Sequence, residues 1–195
     1  MAENQNNRRA AYSKKKADAH KEARRAAREA VLALLFETEY HKGEEPEAIF
    51  LRAAEAREID PADKYIRGEY MGIMENLETI DALLGRHAKG WRTDRLSRVS
   101  RAVLRLGAYE IIYAEKIPAP IAINEAVELA KKFDDPKARA FINGVLNAVK
   151  NELEENGGVP AIIETVPEIL PTEETLPEEE PVAEAEATDT PATDE

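Results

Sequence analysis

The chain has 195 residues, with 27 Lys plus Arg against 39 Asp plus Glu and a formal net charge of −12. The absence of cysteine excludes a disulfide framework, a thiol nucleophile and a zinc–thiolate centre, and no apolar run nears the ~20 residues that span a bilayer. Taken as a sum, the acidity argues against a nucleic-acid binder, which carries a basic surface.

The sum hides a segregation. Residues 152–195 hold fifteen acidic side chains and no Lys or Arg. Residues 1–28 hold nine basic side chains against three acidic ones, and residues 29–151 hold eighteen against twenty-one. Without its last 44 residues the chain carries +3. The start, Met1 to Lys16, is basic with no apolar stretch behind it, so no secretory signal is expected and the cytoplasm is the expected compartment.

In chain order, residues 1–21 read as a flexible basic arm without apolar periodicity. From Glu22 the pattern turns helical, with Ala23, Ala27, Ala30, Val31, Leu34 and Leu35 on one face, until Gly43. Pro46 opens a short helix through Phe50, Leu51 and Ala54. Asp60-Pro61 signals the cap of a long helix to about Leu84. Gly68 and Gly72 lie on it at a cost of roughly 1 kcal/mol each relative to Ala, which predicts close approach by a neighbouring helix. Trp91 to Ala114 carries a broad apolar stripe, with Ser97 marking a break, and Trp91 and Tyr109 read as packing residues. After the rigid Ile117–Pro120 connector, Ile121–Phe133 is helical, and Asp135-Pro136 caps a last helix through Phe141, Val145 and Leu153. Gly144 inside that helix again predicts close packing.

The fold class is all-α, a compact bundle of about seven helices over residues 22–155. Residues 156–195 form an acidic tail, and 159–195 hold six of the eleven prolines and no aromatic residue. Such a segment buries too little apolar surface to offset its chain entropy, so it is expected to be disordered.

No catalytic constellation stands out. His20, His41 and His87 lack metal-ligand spacing, and there is no phosphate loop or nucleophile elbow. No cofactor or metal is expected, and the chain does not read as an enzyme. The basic helix start is more informative. Lys21, Arg24, Arg25 and Arg28 fall within an arc of about 100° at helical spacing, beside the apolar face. Such cations repel one another in the free protein, and a phosphate backbone relieves that repulsion. Phe36 continues the stripe and reads either as core or as a platform for an unpaired base. The bland alternative is a solvated flank.

Four blocks carry a resemblance. They are Ala27-Arg28-Glu29 leading into Ala33–Phe36, then Arg95–Glu110 after Trp91, then Ile117-Pro118 with Ala122–Phe133, and last Phe141–Leu146. Over roughly residues 22–153 the chain resembles the bacterial transcription antitermination factor NusB family. The resemblance implies two packed helical halves and a role without catalysis. It implies binding of boxA-type single-stranded RNA in nascent ribosomal RNA, together with the ribosomal small-subunit protein NusE, within the transcribing RNA polymerase complex. Homodimers that hide the RNA surface also occur in this kind of fold.

By position, the resemblance puts Arg24, Arg25, Arg28, Phe36, Arg139 and Phe141 at the RNA, with Lys21 beside them on the basic arc. It puts Ser100, Arg101 and Arg105 towards the partner protein. Ser100 replaces a residue that is commonly acidic there, and Lys137 stands near a position that is often acidic. Asn124 and Glu125 read as helix-start caps or loop tethers rather than ligand contacts. Two other readings stay open. One is a structural protein-interaction module. The other is the stand-alone form of the domain found fused to ribosomal RNA cytosine methyltransferases.

Overall fold

A computed structural model of the chain describes residues 2–88 and 96–156. Trp91 and the acidic tail beyond Asn156 lie outside the described residues, as do the expectations placed on them. Seven helices and no strand occur among the described residues. They are α1 (Ala2–Thr38), α2 (Pro46–Ala56), α3 (Lys64–Glu75), α4 (Leu77–His87), α5 (Arg98–Tyr113), α6 (Ala119–Phe133) and α7 (Ala138–Glu155). No helix among them is long and apolar enough to cross a membrane.

The helices pack as two halves. In the first, α1, α2 and α3 contact one another, and in the second α5, α6 and α7 pack together with α4. Contacts of α1 and α3 with α5 join the halves. The first half centres on Phe50 and Tyr70, both fully buried, with ring centroids 6.1 Å apart. Tyr70 keeps its hydroxyl 2.9 Å from that of Thr38, so the buried phenol is paired. The second half centres on Val103, Leu104, Leu106, Ile142 and Leu146.

Helical backbone in α1 reaches back to Ala2, twenty residues before the Glu22 at which periodicity begins. Ala, Lys, Arg and Gln favour helix without needing a buried face. Residues 12–23 are exposed accordingly, whereas Val31, Leu32, Leu34 and Leu35 are buried.

The long helix expected from Asp60 to Leu84 is two helices. Asn76 interrupts it with φ −110° and ψ 17°, and its side-chain amide donates to the Gly72 carbonyl at 2.8 Å. The helix cap is Asp63 rather than Asp60: its carboxylate accepts from the Tyr65 and Ile66 amides at 2.9 and 3.0 Å. Asp60 instead accepts from the Ala62 amide and shapes the preceding turn.

The glycine expectations divide. At Gly72 an added Cβ would lie 2.0 Å from the Tyr109 hydroxyl, so α3 and α5 meet there only because the side chain is absent. Gly107 is a second such contact, with Leu146 Cδ1 2.7 Å from the same virtual atom. Gly68 and Gly144 face open space, and close packing explains neither.

Candidate nucleic-acid interface

Three helices carry a charged residue at an apolar register. Arg28 on α1 is flanked on the helix surface by Leu32 and Leu35, both buried. Glu110 on α5 shares a face with Val103 and Leu106, and Glu125 on α6 lies among Ala122, Ala126 and Leu129. Each of the three is itself buried, with 4%, 1% and 6% exposure. An isolated buried charge is prohibitively costly, so the three must meet. Arg28 Nε donates to Glu110 Oε1 at 2.9 Å, and Arg28 Nη1 lies 3.8 Å from Glu125 Oε2. The Tyr65 hydroxyl donates to the same Glu110 oxygen at 2.6 Å. Burial beside Glu110 raises the Tyr65 pKa.

This network reaches the surface through α1. Arg25 grips Glu125 with both Nε and Nη2, at 3.0 and 3.2 Å, and keeps 42% side-chain exposure. The Glu125 hydrogen bond raises the Arg25 pKa further. The guanidinium of Arg24 stacks on the Tyr65 ring at 4.0 Å. The arc of cations is therefore held by carboxylates and an aromatic face, and the expected mutual repulsion is largely compensated inside the fold. Lys21 lies one turn earlier and is exposed. Glu69 adjoins the network. Burial first, and Glu110 second, push its carboxyl up to about 7. Its Oε2 is buried without a hydrogen-bond partner among the described residues.

A groove of about 300 Å³ runs between α1 and α6, lined by Arg25, Arg28, Glu29, Glu125, Lys131 and Lys132 among others. Lys132 closes one side by pairing with Glu29 at 2.6 Å. Further along α1, Phe36 is 36% exposed, and its ring lies 5.4 Å from that of Tyr40. Arg98 from the start of α5 covers the Tyr40 ring at 4.6 Å and donates to its hydroxyl at 2.8 Å. Phe133, 42% exposed, sits beneath the Lys132 ammonium at 5.0 Å. Exposed aromatics beside cations form the surface chemistry that stacks unpaired bases.

The other residues singled out from sequence have definite places. Arg139 starts α7, where its Nε donates to the Pro136 carbonyl at 3.3 Å, and Phe141 packs half-buried against the core. Ser100 is buried. Its amide donates to the Ser97 hydroxyl at 2.8 Å, and its own hydroxyl donates to Asp134. Arg101 and Arg105 both reach Glu39, at 3.1 and 2.5 Å, and Arg105 also grips Asp81 with two bonds of 2.8 and 2.7 Å. Glu125 is a partner of the arginines rather than a cap, and no side chain caps α6. Sequence reasoning missed Tyr65, Glu110, Tyr40, Arg98 and Lys132. The available signal was a carboxylate within the apolar stripe of α5, matched by an arginine within that of α1.

Known proteins share this sequence and fold. Residues 22–151 match the NusB family. The transcription antitermination protein NusB of Bacillus licheniformis is 43% identical over 131 residues, covering 67% of this chain and 98% of that protein. Its counterpart in Bacillus subtilis is 39% identical over 133 residues, covering 68% and 98%. Among solved structures, T. maritima NusB superposes with a TM-score of 0.61 at 37% identity, covering 66% of this chain and 91% of that one. A structure of the antitermination factors NusB and NusE in complex with dsRNA gives 0.58 at 30% identity, covering 66% and 96%.

Proposed function

The chain belongs to the NusB family of transcription antitermination proteins, and we propose that it binds the boxA element of nascent ribosomal RNA together with NusE, helping RNA polymerase resist premature termination. The observation that carries this reading is the paired placement of cations and exposed aromatics along α1, on a fold that a relative uses in complex with NusE and RNA. The role is one of binding, exercised in the cytoplasm.

Lys21, Arg24 and Arg25 contact phosphates in this reading, Phe36 stacks a base, and Arg139 and Phe141 border the same surface. Arg28 serves as the buried support that fixes α1 against α5 and α6. Ser100, Arg101 and Arg105 shape the face turned to NusE. They do so through the Asp134, Glu39 and Asp81 contacts that hold α5 in place.

The test is a titration of boxA RNA, with and without NusE, by fluorescence anisotropy over a salt series. Changing Lys21, Arg24 and Arg25 together to Ala removes up to three phosphate contacts. The slope of log affinity against log salt should then fall by about 2. Unchanged affinity and slope in the folded triple variant would reject the assignment.

A further inference from the structure

The cations on the packed half of α1 each receive a partner from the fold, and the described side chains of the projecting half do not. Arg25 and Arg28 take Glu125 and Glu110, and Arg24 takes the Tyr65 ring. Lys14, Lys15, Lys16 and Lys21 are exposed and make no ion pair among the described residues. No described helix packs on residues 12–23, so this stretch is an unpartnered basic face among the described residues.

The chain holds the complementary charge elsewhere. Residues 157–195 contain twelve carboxylates and no Lys or Arg. Their point of departure matters. Arg25 pairs with Glu125 in the second turn of α6 and Glu29 with Lys132 further along, so the two helices run the same way and the residues of α1 before Arg25 run past the α6 start. A groove of about 450 Å³ sets Pro120 and Asn124 of α6 beside Asn147 and Lys150 of α7, so α7 ends past the same α6 start. The projecting basic helix and the exit of the acidic segment therefore share one end of the molecule. The segment has 39 residues. At up to ~3.3 Å per residue it spans far more than the ~18 Å occupied by residues 12–23 as helix.

We propose that the acidic segment 157–195 docks on the basic face of α1 in the same molecule and competes there with RNA. Carboxylates from this segment do for Lys14–Lys16 and Lys21 what Glu110 and Glu125 do for the arginines. The contact itself stands apart from the boxA reading, and only the competition rests on it. A weak, unspecific polyanion is excluded by the tethered one, while RNA with additional base and partner contacts displaces it.

The test uses the full chain. A water-soluble carbodiimide joins lysine amines to touching carboxylates, and mass spectrometry locates the links in a mixture of isotopically light and heavy chains. Links within one chain, between Lys14–Lys21 and residues 164–195, are expected at low salt and should be lost near about 0.5 M salt. Absence of such links, or links only between chains, overturns the contact. A second full-length chain carries Glu→Gln and Asp→Asn at all twelve positions. It should bind an oligouridylate at low salt at least about tenfold more tightly than the parent. Intrachain links with equal RNA affinity overturn the competition. If neither chain binds the oligouridylate, the competition fails, while the links still decide the contact and the boxA titration with NusE decides the proposed function.

Discussion

Residues 12–23 and 24–38 of α1 lie on one continuous helix and are both rich in Ala and cations, but the cations of the first are all lysines and those of the second all arginines. In the second stretch the arginines are clamped by Glu110, Glu125 and Tyr65, and the helix is part of the core. In the first, the four lysines stand in solvent. What separates the two is the apolar stripe that begins at Ala27, because it brings α5 and α6 close enough to supply carboxylates. The lysines come where no apolar stripe supports the helix, and the arginines, whose forked guanidinium suits paired carboxylates, come where it does.

The sharpest way to break this contrast is Arg28→Ala. Removing the cation leaves Glu110 and Glu125 buried without it, which should cost about 3–5 kcal/mol in urea unfolding. A loss below about 1 kcal/mol would place Arg28 with the solvent-facing cations. Next comes pH. The folded-state pKa of Glu69 is raised to about 7, so its protonated form is favoured by folding. Its contribution is fully present below the unfolded carboxylate pKa and is lost as pH rises through about 7. Glu69→Gln should flatten the stability profile between about pH 4.5 and 7, by an amount on the order of 3 kcal/mol.

Two glycines extend the contrast between packed and open positions. Gly72→Ala forces a Cβ against Tyr109 and should cost about 1–3 kcal/mol. Gly144→Ala meets open space and should stabilise by up to about 1 kcal/mol, visible as a rise in Tm. The smallest effect belongs to the projecting half: Lys14, Lys15 and Lys16 changed together to Gln should move stability by less than about 0.5 kcal/mol.

Much of the fold was legible in the sequence. The apolar faces of α2, α5, α6 and α7 followed helical spacing, and Pro46, Pro118 and Pro136 marked the starts of α2, α6 and α7. The break at Asn76 was not legible, because Ile73, Leu77 and Ile80 keep their periodicity across it and only the side-chain bond to Gly72 ends α3. The site was half legible. A cationic arc is visible at a spacing of three and four. Which of its members is buried depends on Leu32 widening the stripe and on two carboxylates about a hundred residues away, a pairing that no local pattern reports.

The contact between Gly72 and Tyr109 has a consequence for how this sequence can change. The phenol occupies the volume that any side chain at 72 needs, so the two positions are coupled across the seam between the halves. Substitution has a favoured order: a carbon at position 72 costs less once position 109 has lost its ring. Tyr109→Leu followed by Gly72→Ala should be less damaging together than the sum of the two alone. Among descendants of this chain, a residue larger than glycine at 72 is expected chiefly in those that have already given up the aromatic at 109.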